Sequence, residues 1–290
     1  MYFKTREELR SFLEEHDAGS MAEGMIEHER PAIRIHPTAL DGQEPPLGSS
    51  RFLGEPDMPE SLDWPVDAEG TPLNFLVQIN LSELAGVLDD SPLPADGHLL
   101  FFTRYEDPPW GFDPKDGPGF RVLHVPAGSM LERRTMPEGA KFEDDDGEED
   151  LRRLVRFEAT TMYPDPVCFI ETEDFFERFA APVRGAWREG QGEDDPKHHM
   201  LGHAMVLQNP MEIEAQLVTN GINTGDELSE ADQARAEQLA PGAEDWIPLL
   251  QLDTDEFFMW GDMGAIYFWI RKQDLATQDF SKAWMILQCG

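Results

Sequence analysis

"GAIYFWIR", residues 264–271, is the stretch from which the rest of the chain can be interpreted. It places five large apolar residues almost without interruption between a glycine and an arginine. A short apolar run rich in aromatic and β-branched residues and preceded by glycine is typical of a buried β-strand. An earlier segment, "GHLLFFTR" at 97–104, has the same form and aligns Arg104 with Arg271.

A second pair of segments precedes these two strands. "FLVQIN" at 75–80 aligns with "PLLQLD" at 248–253, which places Gln78 opposite Gln251. Each glutamine interrupts an otherwise apolar strand, and a buried amide must find hydrogen-bond partners. We therefore interpret both as residues that bond backbone, with substrate binding as the alternative.

A third pair keeps the same order. "RFLGEPDMP" at 51–59 aligns with "HMLGHAMVL" at 199–207, although the spacings between segments differ. Repetition of a supersecondary unit explains a conserved order of three segments. The sequence therefore predicts internal repeats over about 51–104 and 199–271.

The remaining periodic segments complete the predicted architecture. Residues 31–72 are rich in Pro and Gly, which predicts turns with brief extended pieces. Further strands are predicted from the segments "FRVLHV" (120–125), "LVRFEAT" (154–160) and "PVCFIET" (166–172). Helices are predicted after the capping residues Thr5 and Thr172 (with Phe175, Phe176 and Phe179 on one face), and a surface helix is predicted in "ELSEADQARAEQLAPG", ended by Pro241 and Gly242. The expected fold is mainly β, of the α+β class, with two related sheet-forming repeats packed into one compact unit and a few peripheral helices.

Charge limits the classes of partner. The 290 residues include 58 Asp and Glu but 23 Lys and Arg, a formal net charge of −35. Such a field repels nucleic-acid backbones and anionic membranes, so neither is expected as a partner. It attracts basic proteins, and it is also expected of a protein adapted to a salty cytoplasm. The densest run, with eight acids between Glu138 and Asp150, is interpreted as a solvated loop.

Cysteine usage and the apolar runs indicate the compartment. The only cysteines, Cys168 and Cys289, are far apart and form no CxxC motif, which favours reduced thiols over a disulfide scaffold. The N-terminal sixteen residues resemble a charged helix rather than a signal peptide, and no apolar run is long enough to span a bilayer. A soluble cytoplasmic protein is expected.

The segment before the strand at 264–271 contains the candidate site with two interpretations. Gly261, Asp262 and Gly264 have the composition of a tight turn, because glycine adopts positive φ and Asp can bond nearby backbone. Trp260 beside them could instead line a pocket in which Asp262 acts on a ligand. Turn chemistry alone accounts for the three residues, so the structural interpretation is favoured.

Other candidates are weaker. His198, His199 and His203 could contribute to a zinc site, but Gly202 disfavours a helix there and no further ligands are identified, so no metal is predicted. Trp64, Trp246 and Trp260 are large aromatics that more often fill cores than line pockets. The sequence has no GxSxG, Walker loop or dinucleotide fingerprint, so it predicts no catalytic residue and no cofactor.

Several of these segments also carry a family resemblance. "LGEPDMP…DWP", "FLVQINL", "LLQLD" and the C-terminal "MWGDMGAIYFWIRKQDLATQDFSKAWMILQC" resemble the YwqG-like family of bacterial proteins, a domain-of-unknown-function class (domain of unknown function 1963). The resemblance covers residues 45–290 and leaves 1–44 as an N-terminal helix and lead-in. It implies a mainly β architecture but no settled activity, cofactor or catalytic residues.

Two functions follow as hypotheses. The first is a non-catalytic binding protein for a basic protein partner; the resemblance implies an immunity-type neutraliser as one form of it. The second is an enzyme or small-ligand binder with a pocket between the repeats, near Trp260 and Asp262. The binding candidates under either hypothesis are Trp64, Gln78, Gln251, Trp260 and Asp262.

Overall fold

The computed structural model describes residues 1–40, 42–140, 151–166, 181–190, 198–256 and 258–290. The helices of these ranges are α1 (Arg6–Glu15), α2 (Ala22–Glu27), α3 (Ala181–Gly190), α4 (Glu212–Val218), α5 (Glu230–Leu239) and α6 (Lys272–Ala276). The strands are β1 (Arg30–Ala39), β2 (Arg51–Phe52), β3 (Asp57–Met58), β4 (Asn74–Asn80), β5 (His98–Thr103), β6 (Phe120–Val125), β7 (Glu132–Arg133), β8 (Arg153–Met162), β9 (His199–Leu201), β10 (Trp246–Asp253), β11 (Ala265–Arg271) and β12 (Trp284–Gln288).

Ten of the strands form one antiparallel sheet in the order β12-β11-β10-β9-β1-β8-β2-β4-β5-β6, and β3 pairs with β7. The sheet curls until its ends nearly meet, since the rings of Phe101 and Phe268 lie 5.0 Å apart and those of Phe120 and Trp284 5.1 Å apart. The main core fills the space inside the curl. The expected mainly β fold with peripheral helices is therefore confirmed.

Apolar layers on both sides of the sheet explain why its strands are almost continuously apolar. Within β4 and β11 only the last residue is partly exposed. Residues of β4–β6 that face away from the main core pack in a second cluster with Trp64 and Met58. Helices α1 and α2 contribute Leu9, Leu13 and Met25 to a third cluster. A strand covered on both faces loses the polar–apolar alternation of a half-exposed strand.

The two ends of the sheet are built alike. Hairpins β4–β5 and β10–β11 are both antiparallel, and the pairing register of each shifts once, between Phe75 and Val77 and between Pro248 and Leu250. The shift lies at the same distance before Gln78 as before Gln251. A β-bulge at matched positions is what a duplicated unit would give.

The central strands cross between the two halves of the chain. The longest pairing joins β1 to β8 over ten residues, from Arg30 with Met162 to Ala39 with Arg153. On their other sides, β1 pairs with β9 from the later half and β8 pairs with β2 from the earlier half. The first long strand of each half, β1 or β8, therefore pairs with strands of the other half.

Strand β1 corrects the sequence prediction, which expected only brief extended pieces after residue 31. Pro31 and Pro37 argued against a long strand, because proline cannot donate to a sheet ladder. The N–H of Ile35 points toward the β9 side, where it bonds the carbonyl of His198, and both prolines stand an even number of residues away. Their missing donors therefore face the side where β9 pairs only with Ala32–Arg34.

Other predictions have different outcomes. The strands at 120–125 and 154–160, the helix capped by Thr5 and the surface helix before Pro241 are confirmed. The structure adds that Ser229 caps the surface helix, its side chain accepting the N–H of Asp232. Cys168, most of the strand predicted at 166–172, the helix after Thr172 and the acidic run at 143–150 lie outside the described residues. Among the helices of the described ranges, none combines the length and hydropathy needed to cross a bilayer.

Candidate functional site

Both buried glutamines bond backbone. Gln78 Oε1 accepts the N–H of Asp57 at 2.8 Å, and its Nε2 donates to the carbonyl of Ser49 at 3.0 Å. Gln251 Oε1 accepts the N–H of Met205 at 2.9 Å. Asp57 and Met205 occupy the same position when residues 51–59 are aligned with residues 199–207. Each glutamine therefore holds the corresponding loop against its own strand. The structural interpretation of these amides is confirmed.

His198 belongs to the same scaffold. Its Nδ1 accepts the N–H of Asp253 at 3.0 Å, as Ser50 Oγ accepts the N–H of Asn80 at 2.7 Å in the other half. The proton of the ring is therefore on Nε2, which lies 2.8 Å from Asp255 Oδ2 and donates to it. With both nitrogens engaged and the side chain fully buried, His198 cannot accept a substrate proton without breaking the scaffold.

The other two histidines also donate to oxygen atoms. His199 Nε2 lies 3.1 Å from the carbonyl of His203, and His203 Nε2 lies 2.6 Å from the carbonyl of His28. Burial, reinforced by the charge of Arg30, lowers the pKa of His203 to about 3, so this ring is neutral at pH 7. Within the described ranges, no three His, Cys, Asp or Glu residues are grouped as metal ligands would be.

A buried cluster of charged side chains centred on Asp57 was not predicted from the sequence. Asp57 is fully buried and accepts from Arg51 Nη1 at 2.6 Å, Arg133 Nε at 2.9 Å and the N–H of Gly48 at 2.7 Å. Burial alone would raise the pKa of Asp57, but hydrogen bonds from Arg51, Arg133 and Gly48 and the nearby charges lower it to about 2. A carboxylate with its oxygens already occupied fixes a loop and has little capacity left for catalysis.

The two candidate tryptophans lie in different clusters. Trp64 is half-buried, donates from Nε1 to the carbonyl of Leu73 at 2.9 Å and meets the Phe102 ring edge-on. Trp260 has no exposed surface and stacks on Phe258, with ring centroids 5.4 Å apart. Gln78 and Gln251 lie in different halves of the sheet, so the candidates do not converge on one cavity.

The turn predicted at 261–264 is confirmed, with a change in what closes it. The N–H of Gly264 donates to the carbonyl of Trp260 at 2.8 Å, and Gly261 has φ of +59°. Asp262 is exposed, and its carbonyl rather than its side chain is bonded, to the N–H of Gly290 at 2.9 Å. Gly264 is required by close approach, because a Cβ there would lie 2.2 Å from the Trp260 carbonyl oxygen.

Exposed apolar side chains flank the C-terminal segment 287–290. Met259 and Met263, in or beside the turn, are 56% and 66% exposed, and Trp110 is 48% exposed. The carbonyl of Trp110 accepts the N–H of Leu287 at 3.0 Å on one side of this segment, and the turn bonds Gly290 on the other. We call Trp110, Met259 and Met263 the methionine patch. These three residues were not predicted from the sequence, because periodicity does not reveal which apolar residues of a loop are exposed.

All charged residues in the two segments that carry the methionine patch are acidic. Residues 105–113 and 254–263 contain no Lys or Arg. Their acidic residues are Glu106, Asp107, Asp113, Asp255, Glu256 and Asp262. We call these six acids the acidic rim of the methionine patch.

Comparison with known proteins identifies a family rather than an activity. The family described as "Domain of unknown function (DUF1963)" matches residues 50–289, as the sequence resemblance indicated. No curated protein matches the chain.

Proposed function

We propose that this chain, which belongs to the DUF1963 family, is a non-catalytic protein-binding module that uses the methionine patch to hold a basic protein. The exposure of Trp110, Met259 and Met263 around one segment carries the proposal. Large apolar side chains exposed together are a common mark of a protein contact surface. Methionine adapts its shape to a partner, and tryptophan is frequent among residues that dominate binding energy.

The backbone beneath the patch supports this function because it is already ordered. The N–H of Met259 donates to Tyr105 Oη at 3.0 Å, and the N–H of Trp260 donates to Thr254 Oγ1 at 3.0 Å. The N–H of Thr254 closes the loop by donating to the carbonyl of Gly264 at 2.9 Å. A surface held in its binding conformation loses less conformational entropy when a partner arrives.

Charge selects the class of partner. Six acids and no cations lie in the two segments that form the patch, within a chain of net charge −35. This distribution favours encounter with a basic protein and speeds association at low salt. Neutralisation of a basic toxin-like protein in the cytoplasm is the form of this function that we propose.

The alternative, an enzyme or small-ligand binder with a pocket near Trp260 and Asp262, has less support. Trp260 has no exposed surface, and a residue without exposed surface cannot line an open cleft. Asp262 lies on the surface and lines none of the described grooves. A surface groove of about 810 Å³ is lined by other residues, among them Tyr2, Arg34 and Thr160.

Affinity capture with matched variants tests the proposal. Extract from the source cells is passed over the immobilised wild-type chain, the double variant Met259→Ser/Met263→Ser and the control Met130→Ser. Met130 is 89% exposed but lies in the loop after β6, outside the patch. We expect a basic protein to be retained by wild type and control, lost by the double variant and released by salt. Titration calorimetry with the purified partner must reproduce this order of affinities; equal affinity of the double variant and the control would refute the proposal.

A further inference from the structure

A groove of about 600 Å³ lies where the two ends of the curled sheet approach each other, and none of its lining residues belongs to the methionine patch. Phe120 and Val122 of β6 line it together with Trp284 at the start of β12, whose ring meets that of Phe120 edge-on. The end of β11 adds Arg271, and the segment after α6 adds Lys282. The groove is therefore formed by both halves of the chain and exists only because the sheet nearly closes.

Three cations line this groove, in a chain where acids outnumber cations by more than two to one. Arg121 and Lys282 form no ion pair with any of the described residues. Arg271 is held in place, since its Nη2 donates to Thr219 Oγ1 at 3.0 Å and its guanidinium lies 4.5 Å from the Trp246 ring centroid. Cations left without acids in so acidic a protein are available to an anionic ligand.

One acid lines the same groove. Asp274, in the first turn of α6, has a buried Oδ2 that accepts no hydrogen bond from the residues the structure describes. A buried carboxylate oxygen without a donor costs free energy that a bound N–H group would recover. The groove therefore offers donors for an anionic group and an acceptor for an ammonium group.

We propose that this groove binds a small zwitterion of the α-amino acid class, with its carboxylate toward Arg121 and Lys282 and its ammonium toward Asp274. The aromatic and aliphatic walls formed by Phe120, Val122 and Trp284 receive the side chain of the ligand. The site is independent of the methionine patch, so either proposal can fail without the other.

Thermal shift followed by calorimetry tests the site. Each standard L-amino acid is added at about 10 mM, which measurably stabilises a protein that binds it with Kd below about 1 mM. The amino acid with the largest shift is then titrated in parallel with the carboxylic acid that lacks its α-amino group. We expect the amino acid to bind at least about tenfold more tightly, a difference of about 1.4 kcal/mol.

Variants test which residues bind the carboxylate and the ammonium group of the ligand. Arg121→Gln and Lys282→Gln should each weaken the amino acid about tenfold, whereas Asp274→Asn should remove the preference over the des-amino acid. Arg156→Gln, on the exposed part of β8, is the control and should bind as wild type does. The proposal is overturned if no amino acid raises Tm more than the same concentration of sodium chloride. It is also overturned if the Arg121 and Lys282 variants bind like the control, or if Asp274→Asn keeps the preference.

Discussion

Gln78 and Gln251 make the same contact in the two halves of the sheet: each holds the backbone N–H of the residue six positions beyond its own pairing partner. Gln78 pairs with Arg51 and bonds Asp57, and Gln251 pairs with His199 and bonds Met205. A polar side chain in the middle of a buried strand is costly unless such a bond is made. The contact explains why an amide is used at both positions.

Replacing either glutamine with leucine should destabilise the fold. Gln78→Leu and Gln251→Leu each leave a buried backbone N–H without its acceptor, at a cost of about 1–3 kcal/mol. Gln78→Leu should cost more, because Nε2 also donates to Ser49. Urea denaturation measures the difference, with the exposed Gln273→Leu as a control expected to change stability by less than about 0.5 kcal/mol. An unchanged midpoint for Gln251→Leu would contradict the role assigned to it.

Gly264→Val should destabilise the protein by about 1 kcal/mol or more, since any Cβ there meets the carbonyl oxygens of Trp260 and Gln288 at 2.2 and 2.4 Å. Gly185→Ala is the matched control. It lies in α3, nothing stands within 4 Å of an added Cβ, and alanine favours helix by up to about 1 kcal/mol. Thermal melts of the two variants should therefore shift in opposite directions.

Asp262→Asn should leave thermal stability unchanged, because the turn is closed by backbone atoms and the side chain is exposed. It should slow association with a basic partner at low salt, since it removes one charge from the acidic rim. Stopped-flow or surface-plasmon kinetics would measure the rate. A large loss of Tm would show that the carboxylate supports the turn after all.

Acid should weaken the fold in part through His203. Its pKa is about 3 in the folded state and 6.5 ordinarily, so the unfolded chain binds a proton that the native state excludes. The stability is fully present above pH 6.5 and is lost as pH falls toward 3, at up to about 1.4 kcal/mol per pH unit. His203→Gln keeps a donor for the His28 carbonyl but does not titrate. The denaturant midpoint should therefore fall less between about pH 7 and about pH 5 for the variant than for wild type. An equal decrease in both proteins would assign the acid sensitivity to other groups.

Most of the net charge of −35 should act as salt adaptation or background composition rather than as a binding surface. If so, raising salt from about 0.05 M to about 1 M, which shortens the Debye length from above 10 Å to about 3 Å, should raise the denaturation midpoint as self-repulsion is screened. A midpoint that does not rise would leave partner binding as the better explanation of the charge.

The strands that carry aligned motifs were predictable because both of their faces are covered, so the signal was a run of apolar residues. Strand β1 was not predictable. Pro31 and Pro37 fit into it because β9 is too short to need their missing N–H groups, and β9 comes from a distant part of the chain. Among site residues, the backbone bonds of Gln78 and Gln251 followed from the rule that buried amides need partners. Arg51, Asp57 and Arg133 could not be grouped, because their ion pairs join segments up to 76 residues apart.

The pairing of β1 and β8 across the two halves of the chain has a consequence for folding. Residues 30–125 alone would lack β8, so β1 would lose its longest neighbour and β2 would lose one of its two partners. An isolated half could restore these pairings only by lending its first strand to a second copy and receiving one in return. The two halves are thus joined by reciprocal pairing of their first long strands, and they cannot reach the native state one after the other. Translation must produce β8, and then β9, before the first strand has both of its neighbours.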